Sequence, residues 1–149
     1  MKAYTEWTTE ELWKHEQLNF AAHMAIMFEY LLEQGLSVDD FVRYTADKVI
    51  PAWKEGGERT VEDLMSGILL NVLANGGEVR ETNNNGEEVT ATVSYLLNPE
   101  TMQAFGSSPE MTGRFWDKFV PIAEAFGMDF TWERTEDHHY HIRVNKSGS

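Results

Sequence analysis

Three histidines near the C-terminus are the residues of this sequence whose spacing points most directly to chemistry. The stretch EDHHYHIRV contains His138, His139 and His141. Because side chains alternate along a strand, His139 and His141 would project from one face and His138 from the other. Two imidazoles two residues apart form half of a metal site, and a catalytic zinc usually has three protein ligands. Glu133 or Asp137 could supply the third ligand.

Two other interpretations of the histidines stay open. They could contact a ligand or exchange protons with it, since imidazole titrates near neutral pH. They could also be ordinary side chains on a solvated strand face. We take His139 and His141 as candidate catalytic residues and predict no metal ligand. A metal-dependent enzyme using the histidine cluster remains an alternative.

A second candidate group lies on a predicted N-terminal helix. Glu16 and His23 could act as a general base and its partner, because each can exchange a proton near neutral pH once its environment shifts its pKa. At helical spacings beside them are candidate ligand-binding residues: Phe20, Met27 and Tyr30. Such a mixed stripe either lines a cavity or marks the boundary of an amphipathic helix.

The two groups would form one site only if this helix crossed the polar face of a sheet that contains the last strand. In that arrangement His15 and His23 would approach His139 and His141. The sequence does not require the crossing, and we leave it as a hypothesis.

Large apolar side chains are abundant, with five Trp, five Tyr, eight Phe and seven Met in 149 residues. Methionine is adaptable and suits apolar pockets. Trp116 and Trp132 are therefore candidate walls of a pocket between helices and sheet. The alternative is a core rich in large side chains.

Composition excludes several classes of function. The net charge of −13 would repel nucleic acid and anionic membranes, so we expect neither as a partner. The absence of cysteine excludes thiol catalysis and disulfides. Without a signal-peptide pattern or an apolar run of about 20 residues, we expect a cytoplasmic protein. The acidic charge also leaves open an interaction or inhibitor protein that binds a basic surface.

Helical periodicity dominates the first half of the chain. Thr8 and Glu11 have the spacing of a capping box, and apolar residues then recur to Gly35, which predicts a helix over about 9–34. A second helix follows Ser37, with a break or kink expected before Pro51. A third helix begins at Thr60.

The second half mixes helices with two hairpins. EEVTATVSYL alternates with period two and follows the turn signal Asn85-Gly86, which predicts a hairpin. Asn98-Pro99 and Ser108-Pro109 each predict a helix start, with a kink possible at Pro121. MDFTWERT and HHYHIRV form the last hairpin. Its core is predicted to contain Phe130, Trp132, Tyr140, Ile142 and Val144.

Residues 60–97 and 109–145 both read as a helix followed by a hairpin. We therefore predict an α+β fold in which N-terminal helices pack on an antiparallel four-stranded sheet made of two helix-plus-hairpin units. Residues 1–146 would form a single globular domain, and 147–149 a tail.

The segment FGMDFTWERTEDHHYHIRV resembles the closing segment of 4-vinyl-reductase-type domains. It is also similar to L-2-amino-thiazoline-4-carboxylic acid hydrolase-like proteins, and the similarity covers about the last 60 residues. Members often carry cysteines near these strands, whereas this chain has Ile142 and Val144 in its last strand and no cysteine. The resemblance implies a domain that holds a small organic molecule, without a cysteine-dependent activity.

Together these observations predict a domain that binds a small apolar or aromatic ligand in a cavity between helices and sheet. Enzymatic acid–base or hydrolytic chemistry is left open, and the sequence identifies no cofactor. A homodimer through an uncovered sheet face is a further open alternative.

Overall fold

The computed structural model describes residues 6–136 and 138–148. Its helices are α1 (Thr9–Glu33), α2 (Val38–Lys54), α3 (Val61–Ala74), α4 (Pro99–Ala104), α5 (Pro109–Gly113) and α6 (Phe119–Glu124), with a 3-10 segment at Arg114–Lys118. Its strands are β1 (Val79–Asn84), β2 (Glu88–Val93), β3 (Met128–Glu136) and β4 (His139–Lys146).

The N-terminal cap of α1 forms as the sequence predicts. The Thr8 hydroxyl accepts a hydrogen bond from the Glu11 amide at 3.2 Å, and the Glu11 carboxylate accepts from the Thr8 amide at 2.9 Å. These bonds satisfy two amides that the first helical turn leaves unpaired. At the other end, Gly35 adopts the left-handed conformation, with φ of +68°, and terminates the helix.

The predicted break before Pro51 is absent, because α2 continues through Pro51 to Lys54. A proline inside a helix removes one backbone hydrogen bond. Here it lies in the last turn, so little helix remains beyond the lost bond.

The two hairpins form one antiparallel sheet with strand order β1-β2-β4-β3, which confirms the predicted architecture. The hairpins meet through β2 and β4, where Ala91 lies opposite Ile142 and Val89 opposite Val144. The Asn85-Gly86 turn closes the first hairpin, with Gly86 at φ +88°. His138, at φ +63°, lies in the turn of the second.

Helices cover one face of this sheet. α3 lies against β1, β2 and β4, and α6 lies against β3. α2 packs on the 3-10 segment and α6, and α1 packs on α4 and α2. The predicted core of the last hairpin is buried at Phe130, Tyr140, Ile142 and Val144, while Trp132 is partly buried.

The predicted helix after Ser108-Pro109 is divided into α5, the 3-10 segment and α6. Pro121 lies inside α6, so the irregularity precedes it. Within the described residues, no helix combines the length and apolarity that a membrane crossing requires.

Candidate functional site

The residues predicted on the first helix share one exposed face of α1. This outward face lies opposite the side that buries Ala21, Met24, Ala25 and Phe28. It consists of Leu12, Glu16, Asn19, Phe20, His23, Ile26, Met27 and Tyr30. Tyr30 is 57% exposed and Phe20, at the edge, is 36% exposed. The stripe that was predicted either to line a cavity or to mark a boundary is therefore a surface.

Glu16 and His23 do not form a hydrogen-bonded acid–base pair. Their positions are seven apart in the sequence, which is about 10.5 Å along a helix axis. Proton transfer needs donor and acceptor within about 3 Å or one water. His23 Nδ1 instead lies 2.7 Å from the backbone carbonyl oxygen of Asn19. A carbonyl only accepts, so Nδ1 carries the proton and Nε2 is left as an acceptor in the neutral ring.

The last strand places His139 and His141 on the face of the sheet away from the helices, while α1 packs on α4 and α2. His141 lies between Thr92 of β2 and Glu133 of β3 in the sheet register. It borders a small polar pocket of about 280 Å³ with Glu81 and Asn83 of β1.

Metal-binding geometry does not emerge around these histidines. Among residues 6–136 and 138–148, no group of three or more His, Asp or Glu side chains is arranged to hold a metal ion. Asp137, one of the two candidate third ligands, lies outside the described residues. Buried His139 Nδ1 has no hydrogen-bond partner among the described residues, and Glu136 Oε2 is 4.0 Å from it.

Trp116 and Trp132 belong to the interior rather than to an open pocket. Trp116 is 1% exposed and its ring lies 5.4 Å from that of Tyr140. Trp132 Nε1 donates a hydrogen bond to Asp117 Oδ1 at 2.7 Å. This bond ties β3 to the 3-10 segment, which gives Trp132 a structural role.

A concave site lies elsewhere, between the C-terminal half of α1 and the segment that joins α4 to α5. This acidic cleft has a volume of about 420 Å³. Its lining is Ala25, Phe28, Glu29, Leu32, Glu33, Gly106, Ser107, Ser108 and Met111. Ligand sites in proteins typically combine an apolar lining with a few polar groups in a volume of about 300–1,000 Å³.

Negative potential concentrates at the acidic cleft. Glu29 and Glu33 are four residues apart, where like charges on a helix repel. The C-terminal end of a helix carries partial negative charge, and the last turn of α1 contains no basic residue to offset it. Within the described part of the chain, neither carboxylate has an ion-pair or hydrogen-bond partner.

The opposite wall approaches Glu29 closely because it contains a glycine. Gly106 has φ of +93°, and a Cβ built there would lie 3.1 and 3.2 Å from the two carboxylate oxygens of Glu29. Next to it, buried Ser107 has its hydroxyl 3.4 Å from that of Thr112. Thr112 donates its own proton to the Ser108 carbonyl, so the Ser107 oxygen keeps acceptor capacity.

A second cleft of about 420 Å³ lies between the N-terminal half of α1 and the end of α3. Trp13 and Tyr95 are its aromatic walls, and Gln17 bridges it by donating to the Ala74 carbonyl at 2.9 Å. It contains Glu10 and Lys14, one charge of each sign, so it lacks the one-sided potential of the acidic cleft.

Four residues of the acidic cleft were not predicted from the sequence: Glu29, Glu33, Gly106 and Ser107. A local signal existed for the first two, because two glutamates one turn apart at the end of a helix without a basic residue are electrostatically unfavourable. Gly106 and Ser107 carry no comparable signal, since their significance depends on the packing of α1.

A scan against protein-family models gave no match to the chain, and a search of curated proteins gave none either. The resemblance of the last 60 residues to small-molecule domains therefore stays a prediction.

Proposed function

We propose that this protein binds a small organic cation, an amine with an apolar body, in the acidic cleft. The observation that carries the proposal is the pair of unpartnered carboxylates, Glu29 and Glu33, above an apolar floor. A bound ammonium group would relieve the repulsion between them. It would also offset the negative end of α1.

The hydrogen-bonding groups of the cleft match an ammonium donor. Carboxylate oxygens of Glu29 and Glu33 only accept hydrogen bonds when ionised, and the Ser107 oxygen can accept one more. An ammonium group offers three donors and no acceptor. A carboxylate ligand, by contrast, would meet two like charges with no cation among the lining residues.

The apolar lining favours an organic cation over a bare ion. Phe28 and Ala25 form a buried floor, and Leu32 and Met111 flank it. An inorganic cation would draw no benefit from these contacts, whereas burying a hydrocarbon body contributes about 25 cal/mol per Å² of apolar surface.

The proposal is one of binding rather than of catalysis. The predicted proton-transfer residues, Glu16, His23, His139 and His141, are not among those that line the acidic cleft. Among the described residues, the hydroxyls of Ser107 and Ser108 contact the Thr112 hydroxyl and the Met111 amide, and neither bonds to a carboxylate or imidazole that could activate it as a nucleophile.

Isothermal titration calorimetry with three matched compounds tests this function. Phenethylammonium should bind, 2-phenylethanol should bind more weakly, and 3-phenylpropionate should not bind. A unit charge about 4 Å from a carboxylate gains about 1 kcal/mol in bulk water and about 4 kcal/mol near a protein surface. Because the cleft is open, we expect Glu29→Gln to weaken phenethylammonium binding about tenfold, or about 1.4 kcal/mol.

Glu124→Gln is the matched control, since Glu124 is an exposed glutamate on α6 and its loss changes the net charge equally. It should leave binding unchanged. Equal affinity for the cation and the anion, or equal effects of the two substitutions, would reject the proposal.

A further inference from the structure

The outward face of α1 has the pattern of a helix that packs on another helix. Leu12, Glu16, Asn19, His23, Ile26 and Tyr30 follow at alternating spacings of four and three, the 3.5-residue repeat of a helix–helix seam. Leu12 is 56% and Ile26 49% exposed, although the opposite side of α1 is already buried in the core. Apolar side chains that stay exposed together on a folded domain often mark a site of interaction with another protein.

About the middle of the helix, Leu12 is the counterpart of Tyr30, Asn19 of His23 and Glu16 of Ile26. Apolar side chains lie at both ends, Leu12 at one and Ile26 and Tyr30 at the other. Polar side chains, Glu16, Asn19 and His23, lie between them. The pairs Leu12–Tyr30 and Asn19–His23 match apolar with apolar and polar with polar, as the self-complementary patch of a two-fold dimer requires.

We propose that this face binds the same face of a second copy of the chain, with the two α1 helices antiparallel. A two-fold axis level with Ala21, the midpoint of Thr9–Glu33, aligns the helices along their full length. Leu12 of one copy then meets Tyr30 of the other. Asn19 of one copy meets His23 of the other, and Glu16 meets Ile26.

The central polar pair is complementary in hydrogen bonding. His23 Nδ1 is bound to its own helix at the Asn19 carbonyl, so Nε2 has an acceptor role in the neutral ring. The side-chain amide of Asn19 in the other copy can donate a hydrogen bond to this Nε2. Two such bonds related by the axis would fix the register, as buried polar residues do in coiled coils.

Charge favours a second copy over a basic partner. Glu16 is the single carboxylate among the eight residues of the outward face, so a basic surface would find little to pair with there. Each copy nevertheless carries a net charge of −13. The dimer should therefore strengthen as added salt screens this repulsion, with a Debye length of about 10 Å at 0.1 M.

The face is small, which sets the expected affinity. From Leu12 to Tyr30 it extends about 27 Å along a helix about 10–12 Å wide, or roughly 300 Å². A standard interface buries about 800 Å² per partner. We expect a dissociation constant in the micromolar range or weaker.

Analytical ultracentrifugation from micromolar to millimolar protein tests the association. We expect a monomer–dimer equilibrium that shifts toward dimer between 50 and 500 mM NaCl. Ile26→Glu should weaken it at least tenfold. Leu70→Glu, the same change at a side chain on α3 that is 66% exposed, should not. A monomer at every concentration, or equal effects of the two substitutions, would overturn the proposal.

Cross-linking through introduced cysteines tests the orientation of the two α1 helices. The chain contains no cysteine of its own that could react in the background. With a short bismaleimide, a mixture of Leu12→Cys and Tyr30→Cys chains should give a mixed dimer. Either variant alone should give little cross-linked dimer. Cross-linking of Leu12→Cys to itself in preference to the mixture would show a parallel pair and overturn the antiparallel arrangement. Circular dichroism of every variant confirms that the fold is kept.

Discussion

Lys118 is a partly buried lysine that lies over two aromatic rings. Its ammonium nitrogen lies 4.4 Å from the centre of the Phe115 ring and 4.8 Å from that of Phe119. Such cation–π contacts favour the charged form by about 0.5–2 kcal/mol. Burial nevertheless lowers the pKa of Lys118 to about 8, from 10.5. Loss of hydration on burial is the cause of this lowered pKa.

This lowered pKa predicts an unusual dependence of stability on pH. Between pH 8 and 10.5 the unfolded chain binds more protons at Lys118 than the folded chain, so the free energy of unfolding should rise with pH. Lys118→Met should stabilise the protein at pH 7 by about 1–3 kcal/mol and abolish the rise. Urea denaturation at pH 7 to 9.5 measures both effects and stays below the ordinary pKa of tyrosine.

Lys48→Met is the control for this prediction. Lys48 lies 5.1 Å from the Tyr44 ring, and it is exposed. Its substitution should change stability by less than about 0.5 kcal/mol at either pH. Equal effects of the two substitutions would show that burial of Lys118 is not the cause.

Residue chemistry was predictable from the sequence where it depends on local periodicity. Helical spacing correctly places Glu16 and His23 on one face. His138 lies in the turn before β4, so its separation from His139 and His141 comes from the turn and not from strand alternation. The acidic cleft was not predictable in this way. It exists because Glu29 approaches Gly106, and that contact depends on how α1 packs across α4.

At the scale of elements, the first hairpin depends on one backbone conformation. Gly86 has φ of +88°, and a Cβ added there would meet no atom of the described chain within 4 Å beyond its sequence neighbours. Backbone strain alone therefore decides the outcome of a substitution. Gly86→Ala should destabilise the protein by about 1–2 kcal/mol, and Gly86→Asn by less, because asparagine tolerates the left-handed region. Urea denaturation measures the difference.

Gly56→Ala provides a comparison, since Gly56 has no positive φ and its Cβ would meet only the flexible end of Arg59. It should be neutral or slightly stabilising. A loss of stability as large as that of Gly86→Ala would mean that the turn conformation at Gly86 is not the cause of the destabilisation.

Element boundaries were predictable where capping residues mark them, as at Thr8 and Gly35. The continuation of α2 through Pro51 was not, because one lost hydrogen bond in a last turn is offset by packing of the helix on its neighbours. The division of the helix after Ser108 also depends on tertiary contacts, which the sequence pattern does not reveal. Trp132 and Asp117 tie the 3-10 segment to β3.

For the whole molecule, the sheet was predictable because each hairpin is local in sequence and both have a clear inner face. Joining the hairpins through β2 and β4 buries Val89, Ala91, Ile142 and Val144 in one layer. The position of α1 was not predictable, since apolar residues occur on all its sides. That same feature leaves an exposed face after folding.

The two proposals use different sides of α1. The acidic cleft lies at the C-terminal end of α1, at Glu29 and Glu33. The proposed dimer contact lies on the outward face of α1. Each therefore has substitutions that should leave the other unaffected. Ile26→Glu should not weaken binding of phenethylammonium, and Glu29→Gln should not abolish the dimer.

Nuclear magnetic resonance of the ¹⁵N-labelled protein titrated with phenethylammonium chloride tests the central claim most directly. We predict saturable shifts of the backbone amide signals of Gly106, Ser107 and Glu29, and their loss in the Glu29→Gln, Glu33→Gln double variant. Shifts concentrated instead around Trp13 and Tyr95, or shifts that persist in the double variant, would contradict the proposed site.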